Sequence, residues 1–183
     1  MTTTFAGGND FTGNMFDVTT TSGVALNITS FNVNVDPGSV PISVYYRSGS
    51  YVGHESSSAG WTLAGTVTVT GGGEGAMTFV DTPDFIIPAN ATTGFYVTVD
   101  SDVNAPPYMY YTNGSNTYSN SDITITTGVG EGGLFGSLGV FDSRSWNGTV
   151  FYNAVPEPST DALIGLGVVA LLGLGIRSRR AKA

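Results

Sequence analysis

His54 is the one histidine in a chain of 183 residues, and cysteine is absent. A thiol nucleophile, a cysteine zinc site and a disulfide framework are therefore excluded. A Ser-His-Asp relay would have to run through His54, which stands in Tyr51-Val52-Gly53-His54-Glu55-Ser56-Ser57-Ser58. This is a loop of small residues with no nucleophile-elbow pattern around it, so a polar surface histidine is expected and no catalytic residue is assigned. Glycoside hydrolysis needs only two carboxylates, one of them in a setting that raises its pKa. Acids are present, but no spacing singles out a pair.

Two other groups of residues offer binding chemistry. Asp100, Asp102 and Asn104 place oxygen ligands at alternate positions, as a calcium loop does. Ala105-Pro106 follows where such a loop needs glycine, and Tyr111 stands where its bidentate glutamate would come, so solvated loop acids are expected ahead of a calcium site. No cofactor is expected. Tyr108, Tyr110 and Tyr111 follow Pro106-Pro107, and flat rings of this kind stack on sugars. Along a strand Tyr108 and Tyr110 share one face, and one tyrosine of each adjacent pair should be core, so packing competes with carbohydrate binding as their use.

These residues sit on a body whose apolar groups alternate. Trp61, Leu63, Gly65, Val67 and Val69 interleave with Thr62, Ala64, Thr66, Thr68 and Thr70, the pattern of a half-buried strand. Shorter alternations occur at Ile42, Val44, Tyr46, at Phe95, Val97, Val99, at Ile123, Ile125 and over 149–153. Between Val24 and Val35 the apolar set is Val24, Leu26, Ile28 and then Phe31, Val33, Val35. The phase slips near Thr29 and Ser30, which calls for a bulge or a change of sheet. Asp36-Pro37-Gly38, Gly71-Gly72-Gly73, Asn113-Gly114 and Asn147-Gly148 favour tight reversals. About nine short strands without intervening helices predict an all-β fold, an antiparallel β-sandwich of jelly-roll type.

Charge is divided along the chain. The net formal charge is −8, yet Arg47 and Arg144 are the only basic side chains before residue 156, and every acid but Glu157 and Asp161 falls in that stretch. Such a body repels phosphate backbones, so nucleic acid is not a partner.

Residues 162–176 read ALIGLGVVALLGLGI, with no charge and no strong hydrogen-bonding side chain. As a helix this run would span about 22 Å at ~1.5 Å per residue, short of a ~30 Å hydrocarbon core. Snorkelling basic residues and local thinning can absorb the deficit. Leu163, Ile164, Leu166, Val168, Val169, Leu171, Leu172, Leu174 and Ile176 would face lipid, and Arg177, Arg179, Arg180 and Lys182 would hold the tail on the cytoplasmic side. The fold therefore divides into a β domain over 1–154 and an anchor segment over 155–183, with a single C-terminal transmembrane helix over about 162–176 and a basic tail over 177–183.

Pro156-Glu157-Pro158, then a Gly- and Leu-rich apolar run, then terminal arginines, resembles the PEP-CTERM sorting signal of bacterial surface proteins. The resemblance implies a temporary inner-membrane anchor, with an exosortase that recognises Pro156, Glu157 and Pro158, cuts close to them and discards the helix. Prolines keep the triplet extended and out of ladder hydrogen bonds, as a processing enzyme requires. It also implies association with exopolysaccharide and biofilm, and hence a non-catalytic surface or matrix role. Export needs a leader, and Met1 to Ser30 has neither a basic n-region nor an apolar h-region. Either the start lies upstream of Met1, or the sequence is a shortened form, or the chain stays in the cytoplasm. Gly7-Gly8-Asn9, Gly13-Asn14-Met15-Phe16-Asp17, Val44-Tyr45-Tyr46-Arg47 with Gly49, and Trp61-Thr62-Leu63 look like a module of secreted bacterial surface proteins. That likeness implies one unit over residues 5–152 and brings no catalytic residues.

Overall fold

A computed structural model describes residues 1–101 and 103–155. The period-two stretches are strands: β1 (Asn9–Phe11), β2 (Gly13–Thr20), β3 (Leu26–Val33), β4 (Gly38–Ser48), β5 (Thr62–Gly71), β6 (Thr78–Val80), β7 (Phe85–Ile87), β8 (Thr92–Thr98), β9 (Met109–Asn113), β10 (Thr117–Ser119), β11 (Ile123–Gly132), β12 (Gly139–Asp142), β13 (Arg144–Trp146) and β14 (Gly148–Ala154). The only helical element among the described residues is a 3-10 turn at Leu134–Gly136. There are more strands than the sequence pattern predicts because six of them have only three or four residues, too few to show an alternation.

All named pairs are antiparallel. β10, β11, β2, β8, β4 and β5 lie side by side in that order, with β12 also on β11, forming a seven-stranded sheet. β14, β3 and β6, with β7 also on β3, form a second sheet, and β1, β9 and β13 a third. One core joins the first two sheets: Phe16, Ile42, Val44, Phe95 and Ile125 from the larger sheet pack with Ile28, Phe31, Val33, Ile87 and Val150 from the smaller. This is the layering of a sandwich, each sheet burying one face against the other. Trp146 of β13 enters the same core and stacks on Phe16 with ring centroids 4.4 Å apart and planes 14° apart.

The phase slip in β3 is a bulge. Phe151 pairs with Ser30 and Tyr152 with Ile28, so Thr29 is the extra residue that keeps both Ile28 and Phe31 in the core. β5 departs from its expected pattern for the same reason. Val44 pairs with Gly65 and Tyr45 with Leu63, leaving Ala64 unpaired. The phase flips there, so Ala64 packs on the core and Leu63 is 49% exposed. Asn147-Gly148 is not a hairpin turn. It carries the chain from β13 to β14, between different sheets, and Asn147 is buried, accepting from the Gly7 amide at 2.8 Å and donating to the Ser145 carbonyl at 2.9 Å.

No helix among the described residues is long and apolar enough to cross a membrane. The expected anchor helix, the Pro156-Glu157-Pro158 triplet and the basic tail all lie outside the described residues.

Candidate functional site

The chain leaves its last sheet at a defined place. Ala154 is the final residue of β14 and pairs with Leu26 at the start of β3. The Val155 amide then donates to the Ala25 carbonyl at 2.8 Å. The next residue is Pro156, which has no amide to continue the ladder. The triplet singled out in the sequence therefore begins where the described backbone pairing ends.

The tyrosines lie at the other end of β3. This eight-residue strand spans roughly 25 Å at ~3.3 Å per residue. Past its far end, Asp36, Pro37 and Ser39 line an open depression of about 400 Å³ with Pro106 and Pro107. The Tyr108 amide donates to Asp36 Oδ2 at 2.8 Å, and the Tyr110 hydroxyl donates to Asp36 Oδ1 at 2.5 Å. The Asp36 carboxylate holds on to that proton, pushing the Tyr110 phenol up to about 12, with burial adding to the effect. Tyr108 and Tyr110 are partly exposed beside the depression. Tyr111 is not with them. It is 2% exposed, its hydroxyl donates to the Asp10 carbonyl at 3.1 Å, and its ring lies under the Arg144 guanidinium, so it offers no face to a sugar.

The calcium-like stretch is only partly described, since Asp102 lies outside the described residues. Asp100 is exposed, and Asn104 Oδ1 accepts from the Tyr108 hydroxyl at 3.2 Å. Among the described residues no three histidine or acidic side chains converge.

A third place was not expected. The outer face of the seven-stranded sheet carries its own aromatic cluster, in which Met15, Tyr96 and Val129 are covered by Tyr45, Tyr51, Trp61, Phe135 and Val140. The loop 49–61 folds back over this face. Asp17 on β2 pins it, accepting from the Ser50 hydroxyl at 2.6 Å and from the Tyr51 amide at 3.0 Å. Burial still holds the Asp17 carboxyl above its usual range, against the opposing pull of these bonds and of Arg47. The Arg47 guanidinium donates to the Ser50 carbonyl and sits 5.9 Å from the Trp61 ring. His54 serves the loop through its backbone, its amide donating to Tyr51 and its carbonyl accepting from Trp61 Nε1 at 3.1 Å.

Glu131 of β11 lies on this outer face. It is 0% exposed, and neither carboxylate oxygen has a hydrogen-bond partner among the described residues. Burial, and then the nearby Glu55 carboxylate, push its pKa up to about 8. Burial is also the main cause that pushes Tyr51 up to about 12 and Tyr96 higher still. In the sequence Glu131 stands between Gly130 and Gly132-Gly133, past the Ile123-Ile125 alternation that marks this strand. The alternation of Val129 with Glu131 was the available signal, hidden by a register shift between Thr127 and Val129.

A family model of the PEP-CTERM protein-sorting motif matches residues 154–180. No curated protein matches the chain. The match begins on the last residue of β14, so the sorting signal abuts the β domain without a described linker, and only Ala154 and Val155 of it are described. The chain thus carries the signal of an exported protein that is held at the membrane and processed by an exosortase.

Proposed function

We propose that the chain is an exported, non-catalytic β-sandwich, anchored transiently in the inner membrane by 155–183 and released to the cell surface or extracellular matrix, where it associates with exopolysaccharide. The observation that carries this reading is the sorting-motif match beginning where the ladder ends. In this mechanism Pro156, Glu157 and Pro158 are read by the exosortase, the apolar run from Leu163 to Ile176 holds the substrate in the membrane plane, and Arg177, Arg179, Arg180 and Lys182 set its direction. The acidic, hydroxyl-rich body is what remains after cleavage.

The test is expression of the exported full chain in a host with and without an exosortase. With the enzyme, a shortened form should leave the membrane fraction. Replacing Pro156, Glu157 and Pro158 together by alanine should keep the full chain membrane-bound. Equal cleavage of that variant, or none of the wild type, refutes the reading.

The depression beside Tyr108 and Tyr110 supports a second reading, carbohydrate binding. Partly exposed rings next to a carboxylate that can accept sugar hydroxyls are a suitable surface, and they lie at the end of β3 away from Val155. Retardation in gels containing an acidic or neutral polysaccharide, lost in Tyr110→Ala, would support it. Unchanged mobility in every polymer would dispose of it.

A further inference from the structure

The outer face of the smaller sheet is apolar where a solvent-facing sheet surface should be polar. Met77, Phe79 and Ile86 are each more than half exposed and Phe151 is 38% exposed, so four of the eight large hydrophobic side chains that stand exposed among the described residues fall on this one surface. Register fixes their places. Phe79 pairs with Asn32, Phe151 with Ser30 and Ile86 with Asn27, all on the side of β3 away from the core residues Ile28, Phe31 and Val33. The rings of Phe79 and Phe151 meet across β3 with centroids 6.2 Å apart, and Asn32 Nδ2 donates to the Met77 sulfur at 3.6 Å. At these exposures the four side chains leave roughly 400 Å² of apolar surface open to water.

Size and tether select what covers this patch. A stable pair of chains needs about 800 Å² on each partner, twice what the patch offers. The sheet that carries it is the one the chain leaves to enter its sorting signal. Phe151 stands about 13 Å before Val155 along β14 at ~3.3 Å per residue, and Ile86 lies two strand spacings, about 10 Å, from Asn153. Residues 156–161, between Val155 and the apolar run, reach at most about 22 Å. On the reading that this run lies in the membrane, the patch is held beside the bilayer, and the short tether raises its effective concentration there. Charge offers no other means of attachment. Arg47 and Arg144, the only arginine or lysine side chains among the described residues, lie over Trp61 and Tyr111, while Asp81 and Asp84, which flank β6 and β7, are exposed.

We propose that the outer face of the smaller sheet docks on the lipid surface while the anchor is in place, with Met77, Phe79, Ile86 and Phe151 entering the boundary between headgroups and acyl chains. This rests on the membrane reading of 162–176. The partner is the apolar part of the lipid interface, since exposed acids give no attraction for anionic headgroups. Docking lays β14 against the bilayer and keeps Pro156-Glu157-Pro158 at its surface, within reach of a membrane-embedded enzyme. A patch this small, without basic residues beside it, detaches once the tether is cut.

The chain has no cysteine, so a single one can be introduced and labelled with a polarity-sensitive fluorophore. The full chain is reconstituted into phosphatidylcholine vesicles with the label at Met77→Cys or, as a control on the outer face of the larger sheet, at Leu63→Cys, and lipid carrying a shallow spin label is the quencher. Emission at 77 should be blue-shifted and quenched severalfold more than at 63. Adding Phe79→Ser and Phe151→Ser should bring quenching at 77 down to the level at 63, with a cooperative denaturation transition showing that the domain still folds. Equal quenching at 77 and 63 in vesicle-bound chain overturns the docking and leaves the anchor reading standing, and so does undiminished quenching in the doubly substituted chain. A blue shift at 77 without spin-label quenching means that a second copy or the chain's own apolar run covers the face, and overturns the docking too. Failure of the chain to sediment with the vesicles overturns the anchor reading and the docking together.

Discussion

The Val155 amide donates to the Ala25 carbonyl at 2.8 Å, one residue before Pro156. This bond marks the border between an edge strand paired with β3 and a triplet that a processing enzyme must hold in extended form. Val155→Pro removes the donor and should cost about 1 kcal/mol, the usual worth of one such bond, without slowing exosortase cleavage. Deleting Asn153 and Ala154 draws the triplet against the sheet and should slow cleavage, while four Gly/Ser residues inserted after Val155 should not. Pulse-chase of the membrane form measures all three.

The Tyr51 ring and hydroxyl pack onto Gly128 so closely that a Cβ there would overlap them. Gly128→Ala should destabilise by about 1–3 kcal/mol in chemical denaturation. Tyr51→Ala, which removes the overlapping atoms, should make the second change nearly free. Gly94 behaves differently: its Cβ would lie 2.8 Å from the Tyr51 backbone nitrogen, which no side-chain change removes. The penalty of Gly94→Ala should therefore survive in the Tyr51→Ala background.

Stability should fall as pH rises through the Glu131 window. The folded pKa is about 8 against 4.5 for the free group. Between those values the unfolded chain has lost a proton that the folded chain keeps. The contribution is complete below pH 4.5 and lost progressively up to about pH 8, with a slope of about 1.4 kcal/mol per pH unit from this one group. Denaturation midpoints across this range should show the decline for the wild type and a shallower one for Glu131→Gln.

Trp146 is 0% exposed and stacks on Phe16 across 4.4 Å. Trp146→Ala should cost about 3–5 kcal/mol. Gly148→Ala should also destabilise, because a Cβ there would collide with the indole ring. Loss of the near-UV signal before the far-UV signal in Trp146→Ala would show that packing, and not strand pairing, has gone.

Local pattern carried much of the fold. Alternation at Ile42-Val44, Phe95-Val97 and Ile123-Ile125 is visible because one face of each strand carries the apolar side chains of the core between the sheets, and the phase slip at Thr29 is visible because both flanking runs are long enough to count. The exposure of Leu63 was not visible. It depends on Ala64 being skipped by its partner strand, and no residue of β5 records where this strand will bulge against β4. Asn147-Gly148 misled for a related reason, since the dipeptide permits a hairpin but the partners of Asn147 come from Gly7 and Thr112, distant in the chain.

What the sequence determined by itself is whatever neighbours along the chain can enforce: alternating strands, the absence of a sulfur or multi-histidine site, and a sorting signal whose triplet, apolar run and arginines stand in one continuous order. What only the tertiary structure decided is which distant groups meet. Tyr111 is buried while Tyr110 reaches Asp36, and Glu131 is buried with neither carboxylate oxygen hydrogen-bonded among the described residues. Desolvation and pairing depend on what lies across the sheet, and in an antiparallel fold those neighbours come from remote parts of the chain.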